Sequence, residues 1–467
     1  MPIHAPEAHS HLQPAVPRIV PAQAPELATR AMRRFSCIGA ACEDTCCRDF
    51  GIAMDAPSLQ QVRAAVARDA ERKDKVVRLV VLGPPRSDGG GELLKLNDHG
   101  ACPALEGDGG CNVHRQFGEQ ALGTACSVFP RTALAVADRV EVTGSLACPE
   151  LARLTLLAAD GLDQTPAAAG TVLPRPYVGK TVDVGATADE YQASFLDVRA
   201  ALLALFARDG VRAGTRLAFA ANLADQIGDF FLKGGEMLMG SQRSFSRRRL
   251  AVDLEAAQRA DVLATLDRDL RQLNAGGGAV MTAVTTMLVE RLRLPHAPRF
   301  AQMVGATFAA LEAEAQAEAG AHASGRGDEG GTSMAAWAIV DGRRRALIDA
   351  RAPGVLDAIL GRYARHYLLR TPYTDAPSLL AYLGRMALSL AAVRFLIAGA
   401  PSLRARFAAP ADASRDADAV ARASIEVIQT FTKAITHHVD FLNAVAAVGD
   451  QPGGTTFGRL VLFAKFI

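Results

Sequence analysis

Every cysteine of the chain lies between Cys37 and Cys148: Cys37, Cys42, Cys46, Cys47, Cys102, Cys111, Cys126 and Cys148, eight in all. Four of them fall in "CIGAACEDTCC", residues 37–47, where Cys46 and Cys47 are adjacent. Sulfur at that density calls for a disulfide framework, a metal centre or catalytic thiols. The N-terminus carries six prolines before Ala28 and lacks the apolar stretch of a secretory signal. A cytoplasmic location is therefore expected, where disulfides are disfavoured and clustered thiols more often hold metal. Cysteines acting as small buried hydrophobes would account for one or two of the eight, not for the adjacent pair.

Thiolates are soft ligands, and four around one point suit zinc or an iron–sulfur cluster. The short intervals from Cys37 to Cys47 let one loop wrap a metal at little cost in closure entropy. "CPALEGDGGCNVH" and "GTACSVFPR" add Cys102, Cys111 and Cys126 at wider intervals, with His114 a further candidate ligand. A site drawing on both halves would convert binding energy into folding energy. One centre with spare thiols and two four-ligand sites are both open, as are zinc and iron. Cys148 precedes Pro149, which is favourable at a first helical position. There the helix dipole is expected to lower the thiol pKa.

The fold expected is mainly α: a small cysteine-rich α+β metal-binding domain followed by a larger all-helical domain. Residues 1–32 read as a disordered Pro-rich tail, 33–152 as the cysteine-rich domain and 153–467 as the helical domain. "FGIAMD" suits a short strand, and "APSLQQVRAAVARDAERK" a helix opened by Asp55. "RSDGGGE" reads as a turn, and "RTALAVADRVEVTGSLAC" as a hairpin bent at Ala137-Asp138. Farther on, Tyr191, Phe195, Val198, Leu202 and Leu205 follow helical spacing. So do Ile425, Ile428, Phe431, Ile435, Val439 and Leu442. "LGRYARHYLLR" and "LLAYLGRMALSLAAVRFLIAG" read as core helices. A formal charge of only +2 supplies no broad basic field for nucleic acid and no polybasic membrane patch. The longest apolar run, "ALSLAAVRFLIAGA", is interrupted by Arg394, so no membrane helix is expected.

"FSCIGAACEDTCCRDFGIAMD" closely resembles the opening motif of the flagellin lysine-N-methylase family. "CPALEGDGGCNVHRQFGEQALGTACSVFPR" and "LACPELARLTLL" resemble its second and third blocks, so that the likeness covers about residues 33–157. A broader relative is the group of zinc- or iron-chelating cysteine-cluster proteins. Departures are few: Asp49-Phe50 stands where the family usually has Gly-Trp, and Phe129 where tyrosine is commoner. The resemblance implies S-adenosylmethionine-dependent N-methylation of lysine side chains on flagellin. It also implies a [4Fe-4S] cluster held by these cysteines, with zinc as the alternative.

The residues bound how such chemistry is carried. No Gly-rich turn closes a convincing strand–turn–helix unit for a nucleotide: "LNAGGGAV" and "VDVGATAD" read as a helix break and a loop. The radical-type Cys-x3-Cys-x2-Cys spacing is also missing, since Asp49 falls at its third cysteine. A cluster is then the expected docking point for the cofactor. Methylation needs a neutral lysine amine, whose unperturbed pKa is about 10.4. Glu43, Asp44 and Glu119 are candidates for the base or for lysine recognition, and Arg131 and His114 for cofactor binding. Of His437 and His438 at least one is expected to face solvent, and neither is assigned a catalytic role. Two readings compete with the enzyme: a non-catalytic zinc- or iron-chelating module, and a zinc-stapled domain that positions the helices for a partner. The long helical remainder argues against a bare chelator. Oligomeric state is open.

Overall fold

The computed structural model describes residues 24–50, 53–54, 82–85, 92–94, 96–175, 178–185, 188–228, 259–274, 277–294, 297–322, 333–450 and 454–467, with single positions at 60, 64, 251, 252 and 255. The chain is mainly helical. Seventeen α-helices are present among the described residues, beside one five-stranded and one three-stranded sheet. The helix expected from Asp55 and most of the "RSDGGGE" turn lie outside the described residues.

Strand β1 (Glu26–Thr29) and helix α1 (Arg30–Arg34) begin the fold. They correct the expectation of a disordered tail reaching residue 32. Ala28, Ala31 and Met32 are buried in a cluster with Val140, Val142 and Leu151, enough apolar contact to order this end. The Thr29 hydroxyl caps α1 by accepting a bond from Met32 N at 3.3 Å. Strands β2 (Ala53–Met54), β3 (Leu82–Pro85) and β4 (Glu92–Leu94) form the small antiparallel sheet in the order β2-β4-β3. Helices α2 (Asn112–Phe117) and α3 (Thr124–Val128) precede the expected hairpin. Its strands are β5 (Arg131–Val136) and β6 (Arg139–Gly144), turning at Ala137, whose φ is 55°. Helix α4 (Pro149–Leu156) and strands β7 (Gln164–Ala167) and β8 (Lys180–Val182) follow. The larger sheet runs β7-β1-β6-β5-β8. In it β1 is parallel to β6, and β8 parallel to β5.

Helices α5 (Glu190–Ala193), α6 (Phe195–Phe206), α7 (Ala213–Gly228), α8 (Ala260–Gln272) and α9 (Gly278–Leu292) open the helical part. Next come α10 (Pro298–His322), α11 (Met334–Arg351), α12 (Val355–Arg370) and α13 (Leu379–Ala398). Last are α14 (Pro401–Ala408), α15 (Ala413–Phe431), α16 (Val439–Asp450) and α17 (Phe457–Phe466), with a π-helical turn at Thr432–Thr436. The periodic residues Tyr191, Phe195, Val198, Leu202 and Leu205 are buried, as are Ile425, Ile428, Phe431 and Ile435.

Helix α13 is the hub, packed by α7, α9, α11, α12, α15, α16 and α17. Its length and mean hydropathy of 1.6 would suit a membrane span, but 72% of that window is buried inside the protein. Arg394, which interrupts the run, is buried too. Its Nη2 lies 2.6 Å from Asp341 Oδ2, and its guanidinium stands 4.1 Å from the centre of the Phe466 ring. Helices α7 and α17 approach so closely that a Cβ at Gly214 would stand 2.1 Å from Ala464 O.

Sheet and helices share one apolar cluster. Leu134, Val136, Leu146 and Leu156 belong to the same buried set as α12 and α13. Polar bonds cross the same seam. Arg199 grips Glu141 through two bonds of 2.6 and 2.7 Å, and His366 Nε2 lies 2.7 Å from Gly144 O. Those contacts, together with α15 against α4, bring the C-terminal helices to the cysteine-bearing loops.

Candidate functional site

The cysteines stand on loops and helix starts. Cys37, Cys42, Cys46 and Cys47 occupy the 37–50 loop; Cys111 caps α2, Cys126 lies in α3 and Cys148 caps α4. Backbone pairing ties the loop to the 96–105 turn: Cys102 N donates to Cys47 O at 2.8 Å, and Asp49 N to Gly100 O at 2.8 Å. Asp49 has φ 60°, a region that favours glycine. Aspartate tolerates it better than most residues, which explains how Asp49 replaces a usual glycine of the resembled motif.

All eight thiols are free. Their mutual electrostatics divide them into two neighbourhoods. Burial pushes the Cys102 thiol up to about 11, and negative charge on Cys47 and Cys111 adds to it. Cys126 reaches the surface, yet protein packed around its sulfur removes hydration and raises it to about 12, with Cys102, Cys47 and Cys111 contributing. Cys111 rises too, by burial first and then by negative charge on Cys47 and Glu106. On the other side, burial raises Cys148 to about 11, and Cys42 and Cys37 add to the rise. This corrects the expectation of a lowered Cys148 pKa. The helix amides of Leu151 and Glu150 do pull it down, but burial outweighs them. Between the sets, Cys46 feels Cys47, Cys126 and Cys37. Cys47 is the thiol held low, by a hydrogen bond from Cys46 first, then by Thr45 and the charge of Lys433, against an opposing push from burial. Among the described residues no three Cys, His, Asp or Glu side chains stand ready as a metal-holding group. The eight sulfurs therefore share two electrostatic neighbourhoods without forming a finished coordination site.

Behind the loop lies a buried polar cluster. Asp44 is 8% exposed. Its Oδ1 accepts from Lys433 Nζ at 2.6 Å, and its Oδ2 from Gln429 Nε2 at 2.8 Å, with Arg299 Nη1 at 3.2 Å. Lys433 also donates to Thr45 O at 3.1 Å and stands 5.3 Å from the Phe50 ring centre. Gln429 bridges onward to Ala147 O, next to Cys148, at 2.9 Å. Beside it His437 Nε2 lies 2.6 Å from Ser145 Oγ, and its ring meets Phe50 edge-on at 4.9 Å. Both His437 and His438 are half-buried, so neither faces solvent outright. Lys433 lies in the π-helical turn, a distortion often found at functional sites.

The other expected site residues are more scattered. Glu43 is exposed and paired with Arg153 at 2.5 Å; that bond holds its carboxyl below the usual range although partial burial pushes the other way. His114 is exposed on α2. Glu119 is exposed, and its carbonyl accepts from Arg175 at 3.2 Å. Arg131 is half-buried over the Phe35 ring, with a buried Nε that has no hydrogen-bond partner; burial lowers its pKa. Sequence reasoning missed Lys433, Gln429 and Arg299. The segment "IQTFTKAITHH" holds the first two, and no local pattern in it sets Lys433 apart from a surface lysine.

A cleft of about 410 Å³ opens beside the same loop. One wall carries Asp49, Asp98 and His99; the other is formed by the end of α9 and the start of α10.

No family model and no solved structure matches the chain. Curated relatives do. Over 117 residues the chain is 33% identical to the flagellar biosynthetic protein FliU of Salmonella muenchen, a stretch covering 25% of this chain and 68% of that one. The chain belongs to the lysine-N-methylase and FliU family. Over 123 residues it is also 33% identical to the lysine-N-methylase of Salmonella typhimurium, and over 122 residues to that of Salmonella choleraesuis. Those matches span 25% of this chain and 29% of each methylase, so the chain covers less than a third of their length.

Proposed function

We propose that the protein transfers methyl groups from S-adenosylmethionine to lysine side chains of flagellin in the cytoplasm. The observation that carries the reading is the likeness to relatives named lysine-N-methylase and FliU, which includes most of FliU's length. A [4Fe-4S] cluster, or zinc in its place, belongs to the proposal through donor chemistry: eight free thiols, with Cys47 held low. The residues that would hold it come from Cys47, Cys102, Cys111 and Cys126 on one side and Cys37, Cys42 and Cys148 on the other, Cys46 between them. S-adenosylmethionine would supply the methyl carbon, and an iron held by these cysteines would supply a Lewis acid for its amino and carboxylate groups.

The chain's own residues hold and orient. Lys433, Gln429 and Arg299 fix Asp44 and with it the loop that presents Cys42, Cys46 and Cys47. Arg153 does the same for Glu43. Both carboxylates are thereby positioning groups. The lysine amine must pass its proton to solvent before its lone pair attacks the methyl carbon, and S-adenosylhomocysteine leaves with the electrons of the broken sulfur–carbon bond.

Anaerobically purified protein incubated with methyl-labelled S-adenosylmethionine and monomeric flagellin is expected to place label on lysine. Absence of label on flagellin, with iron, sulfide and cofactor all supplied, would overturn the reading.

A further inference from the structure

The geometry points to the cleft between the 96–100 turn and the α9–α10 corner as the seat of a lysine side chain presented by a protein substrate. The inference rests on the lysine-methylation reading and adds where that lysine binds.

The cleft is built in two chemically different halves. Asp49, Asp98 and His99 line one side. Leu292, Leu294 and Pro298 line the other. An ammonium on an aliphatic stem needs that pairing, since acid faces the charge and apolar surface faces the methylenes. Arg291 also lines the cleft, but its guanidinium is committed to backbone: Nε donates to Ala434 O at 2.6 Å and Nη1 to Leu294 O at 3.2 Å. Its positive charge persists beside the cleft, but Asp49 and Asp98 outnumber it and leave the mouth net negative. Asp49 is held there by its backbone bond to Gly100 O. Gly100 has φ 69°, a conformation that favours glycine, and a Cβ there would also push on Asp49 Oδ1.

Position ties the cleft to the thiols. Asp49 lies just beyond Cys47, and Gly100 just before Cys102, on the two strands of chain joined by the Cys102–Cys47 backbone bond. An amine seated against Asp49 is therefore next to the cysteine loop. The cleft opens to solvent beside exposed Asp98, His99 and Leu292, which suits a side chain on a macromolecule more than an enclosed metabolite. Its volume of about 410 Å³ leaves room for residues flanking the lysine.

The test uses the full-length protein and a fluorescein-labelled short peptide of glycine and serine around one lysine, against the same peptide with norleucine. Wild type is expected to bind the lysine peptide at least tenfold more tightly by anisotropy. Asp98→Lys, an exposed change that keeps the fold, is expected to weaken it at least tenfold. Asp49→Asn with Asp98→Asn is expected to make the two peptides equivalent. Equal binding of both peptides by wild type overturns the proposal, and so does a preference that survives the double variant. Displacement of both peptides alike by free L-methionine assigns the cleft to a small zwitterion and overturns it too. Methyl transfer to flagellin is measured in parallel. Transfer that persists at unchanged KM in Asp98→Lys defeats the cleft and spares the methylation reading. Peptide discrimination without any transfer defeats the methylation reading and spares the cleft.

Discussion

Asp44 and Lys433 meet at 2.6 Å across 389 positions of sequence, joining the cysteine loop to the π-helical turn that ends α15. Both side chains are under one-tenth exposed. Removing one partner leaves a buried charge, which costs more than the pair itself contributes. Lys433→Met is expected to lower unfolding free energy by about 2–3 kcal/mol, softened because Gln429 and Arg299 still hold Asp44. Adding Asp44→Asn should recover much of that loss. Urea unfolding of the two variants measures the difference; equal stability of Lys433→Met and wild type would show that the ion pair contributes nothing.

His366 gives the fold an acid-sensitive seam. It is buried on α12 with Nε2 against Gly144 O, and burial lowers its pKa to about 4 from an ordinary 6.5. A folded value below the unfolded one means that protons favour the unfolded chain. Stability is intact above pH 6.5, declines between 6.5 and 4, and loses about 3 kcal/mol at most over that window. His437, lowered to about 3 by burial first and then by the charges of Arg370 and Lys433, acts in the same direction. His366→Gln should flatten the decline. Thermal melts from pH 7.5 down to 4.5 read the slope, and an unchanged slope in the variant would exclude His366 as its source.

Much of this was legible in the primary sequence where the signal is local. The β5–β6 hairpin announced itself by alternation around Ala137-Asp138, and α6, α13 and α15 by apolar spacing. Strand β1 was missed because its order comes from pairing with β6, and "PELAT" carries no strand pattern of its own. Cys148 was placed correctly at a helix start, but its pKa direction was misjudged, since burial cannot be read from neighbours in sequence. The partnership of Asp44 with Lys433, Gln429 and Arg299 joins three distant segments and leaves no mark in any of them alone. The same holds for the cleft, whose walls come from residues 49, 98–100 and 291–301.

Glu141 and Arg199 form the polar rivet between sheet and helices. The carboxylate is fully buried, the guanidinium nearly so, and two bonds of 2.6 and 2.7 Å make the pair bidentate. Arg139 adds a third contact at 2.9 Å. Arg199→Met should cost about 3 kcal/mol, because Arg139 alone compensates the buried carboxylate only in part. Arg199→Lys should recover little, since a single ammonium cannot reproduce the fork. Paired urea titrations decide it: a lysine variant as stable as wild type would mean that charge alone matters at this seam.

Iron content tests the sulfur chemistry independently of methyl transfer. If the thiols hold a cluster, its ligands lie among sulfurs that already influence one another. Cys102 and Cys111 stand in the neighbourhood of Cys47, and Cys148 in that of Cys42. Cys111→Ala is expected to strip iron and sulfide from protein purified without oxygen and to bleach any visible charge-transfer band. Cys148→Ala reports on the second neighbourhood in the same way. The folding consequence should follow, because a metal bound only by the folded chain adds its binding energy to stability. Chelation of wild type should then lower its melting temperature, while the cysteine variants, with no metal to lose, should melt alike with and without chelator. Protein that carries iron in full after both replacements, or that carries none before them, would remove the cluster from the proposed function.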